Sequence, residues 1–255
     1  MQKIVNESTQ PNKLVFLHGW GMSSHIFHPV IEKMNSWADI VSADLPGYND
    51  NAVAQSQSLS FEEYAGLTAS QLPDNSVLIG WSLGGLVAQQ IALAFPHKIR
   101  KLILLCSSPC FVETESWRGI KPAVLDSFKS QLKHDYQKLL DRFLAIQAMG
   151  SESARNDVKN LRELLRGTSA PSEATLAQGL EFLHSVDLRD QVGDIRQPTL
   201  RIYGSQDSLV PKKQGEQIEV YCPNSEKYLI PKASHAPFIS HESLFIDKIM
   251  EFYSL

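Results

Sequence analysis

Gly80-Trp81-Ser82-Leu83-Gly84 sets a serine between two glycines, after the apolar run Val77-Leu78-Ile79 and before Gly85-Leu86-Val87-Ala88. A serine hydroxyl is a poor nucleophile at neutral pH. The chemistry it offers is acyl transfer, provided a base takes its proton and a third group orients the base. A buried strand turning sharply into a helix would hold such a serine in strained backbone. Glycines are needed around it because neighbouring Cβ atoms would collide. The helix begins at the serine, so free N–H groups and the positive dipole end face any oxyanion formed there. With 14 glycines in 255 residues the pentapeptide alone is weak, and a Gly-rich loop capping a helix is the plain alternative.

The partners expected after such a turn are an acid following a late strand and a histidine on the loop after the last one. Asp207 follows Thr199-Leu200-Arg201-Ile202-Tyr203-Gly204, and His235 lies in Ala233-Ser234-His235-Ala236-Pro237-Phe238, just past Leu229-Ile230. Ser82, Asp207 and His235 therefore form the candidate catalytic triad. The rivals fit less well. His25, His28, His97, His134 and His184 fall in helical patterns or at their ends and read as solvated, and His241 opens the final helix as a cap. Asp187, Asp190 and Asp194 precede the strand, while Asp207 has a turn alternative in Gln206-Asp207-Ser208.

Two donors must face the tetrahedral oxygen. The N–H of Leu83 is one, and the loop after an early strand, His18-Gly19-Trp20-Gly21, supplies Trp20 N–H as the other. His18 reads as a second base or as a brace for that loop, the brace being favoured. The indoles of Trp20 and Trp81 flank the site, either as an apolar binding surface or as core. No phosphate loop, dinucleotide fingerprint or metal-ligand spacing occurs. Hydrolysis by this set needs only water, so neither cofactor nor metal is implied.

The elements that must position these residues alternate. Strands are expected at Leu14–Leu17, Asp39–Asp44, the run before Ser82, Lys101–Cys106, Thr199–Gly204 and Lys227–Ile230. Helices are expected over 25–34, 61–72 with Ser60 as N-cap, 83–95, 211–221 and 243–253. This rhythm predicts an α/β fold, a doubly wound, mostly parallel sheet with sites at the carboxyl ends of its strands. Between about Cys110 and Val186 it breaks into helical patterns at 121–149, 151–166 and 172–184. The expectation is a core of residues 1–110 and 187–255 with an inserted all-helical lid at 111–186.

A hydrophobic content of 43%, a charged content of 20% and a net charge of −4 are those of a soluble globular protein, with no bias toward nucleic acid. Three cysteines without paired spacing fit free thiols in a reducing compartment. Met1–Glu7 shows no leader, and no apolar run is long enough to span a bilayer. A cytoplasmic protein is expected.

With these residues placed, the chain resembles the α/β-hydrolase superfamily along its length. More narrowly it is similar to the carboxylesterase family that removes the methyl ester from pimeloyl-acyl carrier protein in biotin biosynthesis. The resemblance rests on Leu17-His18-Gly19-Trp20-Gly21, Asp44-Leu45-Pro46-Gly47 and Gly80 to Ala88. It continues in Ser107-Ser108-Pro109-Cys110-Phe111, Gly119-Ile120-Lys121-Pro122, Arg142-Phe143-Leu144-Ala145, Tyr203-Gly204, Leu209-Val210-Pro211 and Ala236 to His241. The triad motifs are common to many esterases, whereas Ser-Ser-Pro-Cys-Phe and Arg-Phe-Leu-Ala are more specific. The resemblance implies Ser82 as nucleophile, His235 as base, Asp207 as orienting acid, Trp20 and Leu83 as oxyanion donors, and Phe143 in the acyl pocket. Tyr48-Asn49-Asp50-Asn51 departs from the family pattern and leaves that loop's shape open.

Residues 118–166 carry ten Lys and Arg against six acids, a surplus of four in a chain of −4, so the remainder stands at −8. Arg155, Lys159, Arg162 and Arg166 share one helical face, and Lys138 and Arg142 repeat the spacing on the preceding helix. An ordinary solvated face, with Glu152, Asp157 and Glu163 as partners, would account for the stripe. The resemblance instead implies docking of an acidic acyl carrier protein at Lys138, Arg142, Arg155, Lys159 and Arg162, which would speed encounter and fix orientation. The resulting expectation is a monomeric serine carboxylesterase acting on a carrier-bound methyl ester. A broad short-chain esterase acting on small esters, with no carrier partner, is the alternative.

Overall fold

The structure is a computed structural model and describes residues 13–36, 38–49, 51 and 58–254. Met1–Glu7, read for a leader, and Asp50 lie outside these residues. In chain order the elements begin with β1 (Lys13–Leu17), α1 (His28–Met34), β2 (Asp39–Ala43), α2 (Phe61–Ser70), β3 (Ser76–Trp81), α3 (Leu83–Ala94) and β4 (Ile99–Leu105). There follow α4 (Pro122–Leu132), α5 (Tyr136–Gln147), α6 (Ala154–Leu164) and α7 (Glu173–Ser185). The chain closes with β5 (Thr199–Gly204), α8 (Lys212–Gln217), β6 (Glu226–Ile230), α9 (Pro237–Ser240) and α10 (Glu242–Ser254).

The strands order as β2-β1-β3-β4-β5-β6, and all their pairings are parallel. Parallel strands covered on both faces are buried along their whole length, as β3 and β5 are, and the one charged side chain among them, Arg201 in β5, donates to Ser225 Oγ and Gly215 O. The order reverses between β1 and β3, so the loops that leave those strands open a crevice at the sheet's carboxyl edge. His18-Gly19-Trp20-Gly21 and Ser82 are thereby brought side by side.

All six expected strands are present, and local chemistry explains where helices differ. Ser60 Oγ accepts from Glu63 N while the Glu63 carboxylate accepts from Ser60 N, a reciprocal cap that fixes the start of α2. The pattern over 25–34 divides into a 3₁₀ turn at Ser24–Phe27 and α1. Pro29 lacks the N–H that would continue one helix through it. The long pattern at 121–149 is likewise two helices. Asp135 accepts from Lys138 N and so starts α5 afresh. The expected helix over 211–221 is α8 followed by a 3₁₀ turn at Ile218–Val220.

Segment 111–186 leaves and rejoins the sheet at one neck. Cys110 and Asp187 form an antiparallel bridge, and Leu188 N donates to Pro109 O at 2.9 Å. Beyond a second isolated bridge between Val112 and Ile120, its regular structure is helical.

Candidate active site

Ser82 follows β3 with φ 55° and ψ −120°, the strained turn that the flanking glycines permit. A Cβ on Gly80 would lie 2.5 Å from Gly84 O, and one on Gly84 2.5 Å from His18 O, so strand, helix and neighbouring loop meet here backbone to backbone. Ser82 does not cap its own helix with its side chain. Ser107 Oγ donates to Ser82 O at 2.8 Å, which gives the Ser-Ser-Pro-Cys-Phe stretch a physical role as a buttress under the turn.

His235 must reach Ser82 from β6, three strand spacings or roughly 14 Å across the sheet. Its loop lies flat over the intervening strand ends. At β5, a Cβ on Gly204 would stand only 2.1 Å from Ser234 O, so glycine is required for the loop to pass. At β4, Cys106 Sγ is 3.9 Å from Ser234 O. At β3, the indole N–H of Trp81 donates to His235 O at 2.7 Å. His235 Nδ1 then meets Asp207 Oδ2 at 2.8 Å, both side chains fully buried. Asp207 Oδ1 accepts from Leu209 N and Val210 N at 2.8 and 3.0 Å, which orients the carboxylate.

Nδ1 donates to the carboxylate, so Nε2 is the basic nitrogen. Nε2 is buried and has no partner among the described residues, and Ser82 Oγ likewise makes no hydrogen bond there. The serine–base bond is therefore open in the unliganded protein, as such bonds often are before substrate tightens them. The Cys106 thiol lies within 4.8 Å of the Asp207 and His235 donor atoms. Burial, with the charge of Asp207 second, pushes that thiol well above its ordinary range and keeps it neutral.

The N–H groups of Trp20 and Leu83 have no hydrogen-bond partner among the described residues. A Cβ on Gly19 would meet Ser82 Cβ at 3.1 Å, so their loop lies directly against the serine. His18 is fully buried, with Nδ1 on Gly19 O at 2.8 Å and Nε2 accepting from Leu45 N at 3.1 Å. Both nitrogens are occupied, so His18 braces the loop.

Burial depresses the His18 pKa below the usual 6.5, against opposing contributions from Asp44 and Gly19 O. The unfolded chain therefore binds the proton more readily, and stability falls as pH drops below about 6.5. We expect the urea midpoint to decline from about pH 7 to about pH 5. A His18→Gln variant should lose that part of the slope; an unchanged slope would contradict the assignment.

Tyr48, within the stretch that departs from the family pattern, accepts from Gly21 N at 3.1 Å through its phenol oxygen and stacks edge-on against His18. Sequence reasoning gave it no role, because a lone loop tyrosine carries no positional signal.

The aromatic residues are placed unevenly. Trp81 is a fully buried support for the base, its ring against His235 and Phe238. Its indole N–H is spent on His235 O and its ring is fully buried, in keeping with the core alternative. Trp20 donates from Nε1 to Leu176 O on α7 and meets Phe143 edge to face at 4.7 Å. Trp20 and Phe143 thus join the loop after β1 to the helical segment. Of the histidines expected to be solvated, His28, His97 and His134 are exposed, but His25 and His184 are half-buried. His184 lies 3.7 Å from Asp126 on α4. His241 bonds Ser240 Oγ through Nδ1 rather than capping α10 with its ring.

The cationic stripe is exposed and only partly matched by acids. Lys138 and Arg155 have no ion-pair partner among the described residues. Arg142 donates to Gln131 and lies over the Phe128 ring, Lys159 approaches Glu163, and Arg162 pairs with Asp141 at 2.9 Å. Glu152 and Asp157, expected as partners of the stripe, are engaged elsewhere. Glu152 bonds Lys232, and Asp157 is buried under Ser151 and Ser153.

Residues 12–242 match the family model of the alpha/beta hydrolase fold. A pimeloyl-[acyl-carrier protein] methyl ester esterase of Aeromonas hydrophila is 43% identical over 252 residues, 99% of both chains. The protein of that name from Pectobacterium carotovorum is 42% identical, over 94% of this chain and 93% of that one. Among solved structures, an esterase from Exiguobacterium antarcticum superposes with a TM-score of 0.84 at 21% identity, covering 96% of this chain and 92% of that chain. MenH from S. aureus superposes at 0.78 and 23% identity, covering 97% and 95%. With its strained serine turn, its parallel sheet and this match across nearly its whole length, the chain belongs to the alpha/beta hydrolase fold family.

Proposed function

We propose that the protein is a serine carboxylesterase that hydrolyses the methyl ester of a pimeloyl chain carried on acyl carrier protein. The observation that carries the chemistry is a pair of unengaged groups: Ser82 Oγ on its strained turn, and His235 Nε2 held by Asp207. His235 takes the Ser82 proton as Oγ attacks the ester carbonyl, and the N–H groups of Leu83 and Trp20 receive the oxyanion. His235 returns the proton to leaving methanol. Water, activated by the same imidazole, then releases the acid.

Segment 111–186 acts as the lid, and a cleft of about 290 Å³ between it and the oxyanion loop supports entry from that side. Gly21, Met22, Leu140, Leu144, Arg162 and Arg166 are among its lining residues. An apolar chain on an anionic carrier matches such a lining. The substrate itself follows the names of the relatives. The three free cysteines agree with a cytoplasmic enzyme, and a monomer suffices because the triad comes from one chain. Among the described residues no helix is long and apolar enough to cross a membrane.

Ionic strength tests the carrier. Steered association weakens as salt screens it, so kcat/KM for the carrier-bound ester should fall about tenfold between low and high salt. Hydrolysis of p-nitrophenyl acetate should barely change. Lys138→Glu with Arg155→Glu, whose charges are unpaired, should lower the carrier reaction several-fold in the same selective way. Equal responses of the two substrates would favour the broad short-chain esterase.

A further inference from the structure

Two buried polar atoms without a hydrogen-bond partner, His235 Nε2 and Gln147 Oε1, belong to residues joined by a backbone hydrogen bond. Gln147 is the last residue of α5 and is fully buried. Its Nε2 donates to Phe143 O at 3.3 Å, which fixes the amide orientation and leaves Oε1 as the open end. Its backbone carbonyl accepts from His235 N at 3.1 Å. Phe143, one turn earlier, packs on Trp20 of the oxyanion loop. Gln147 thus lies between the aromatic wall and the base.

Both atoms are acceptors. In the free enzyme Ser82 offers one O–H, which suits Nε2 and leaves nothing for the amide. Once Ser82 is acylated it has no proton to give, and both buried acceptors remain unsatisfied. A water molecule carries two donors.

From this juxtaposition we propose that Gln147 is a positioning residue for the second half of the reaction, its Oε1 holding one O–H of the hydrolytic water while His235 Nε2 takes the other. The water oxygen bonds to the acyl carbon as its proton passes to Nε2. The bond from that carbon to Ser82 Oγ then breaks, and the proton moves from Nε2 to Oγ. The second O–H stays with the released acid. This assignment rests on the serine-esterase reading above.

Methanol separates the role from mere packing, because it has a single O–H, which the base requires. With p-nitrophenyl acetate in buffer containing methanol, the acyl-enzyme divides between acetate and methyl acetate. Gln147→Met should raise the ratio of methyl acetate to acetate about tenfold by slowing hydrolysis alone. Gln147→Glu also loses the donation to Phe143 O but keeps an acceptor oxygen, and should hold the ratio close to that of the unmodified protein. A general disturbance of His235 would slow both products together. An unchanged ratio in Gln147→Met, or an equal shift in both variants, would overturn the assignment to Gln147. If the unmodified protein gave neither product, the esterase reading would fall, and this assignment with it.

Discussion

Replacing Ser82 with alanine is expected to lower ester turnover by about 10⁶, leaving only what binding and the oxyanion donors supply. The fold should not notice. Ser82 Oγ makes no hydrogen bond to any described residue, and alanine keeps the Cβ that already lies against Gly19. The strained φ of 55° is imposed by the packing of Gly80, Gly84 and Gly85, none of which changes. The measurements are p-nitrophenyl acetate hydrolysis and a thermal melt on the same preparation. Turnover persisting with an intact melt would remove Ser82 from the mechanism and send the search to another nucleophile. Cys106 is a poor replacement, since burial and Asp207 hold its thiol protonated.

Asp207→Asn is the sharper test of the base. The carboxylate now accepts from His235 Nδ1 with one oxygen and from two backbone N–H groups with the other. Asparagine can preserve the backbone contacts through its carbonyl, which turns its NH₂ toward the imidazole. Nδ1 must then accept, the proton moves to Nε2, and the ring can no longer take one from Ser82. A fall in kcat of about 10⁴ is expected with little loss of stability. Asp207→Ala would blur the result by also releasing Leu209 and Val210. A variant within tenfold of the original rate would mean that Asp207 only closes a turn, the alternative open at the level of sequence.

Much of this is legible in the sequence, for identifiable reasons. Buried parallel strands favour apolar runs, so β1, β3 and the Leu102–Leu105 run of β4 declared themselves. A glycine-bracketed serine between a strand and a helix has few other uses, and the order of Asp207 and His235 then followed from topology. What remained hidden were features set by contacts distant in sequence. Trp81 stayed open between binding surface and core because an indole's apolar face is visible in a sequence, whereas its N–H bond to a carbonyl 154 positions away is not. Gln147 offered no signal at all: a glutamine in an amphipathic helix is ordinary until its neighbour proves to be His235. Of the acids available to the stripe under the solvated-face alternative, Glu163 approaches Lys159, but proximity along the chain did not reveal where Glu152 and Asp157 go. The folded chain spends them on Lys232 and on a serine pair.

The loop that bears His235 is fastened on its other side to the helical segment. Ser234 Oγ donates to Met149 O, His235 N to Gln147 O, and Lys232 Nζ to Glu152. Three bonds from one short loop land within six residues of the segment, so the segment is no detachable cover. Recombination that imported a foreign one for a new substrate would also replace the footing of the imidazole. A change of specificity by exchange of parts has to carry residues 232–235 with it, which ties the evolution of substrate choice here to the residue that moves the proton.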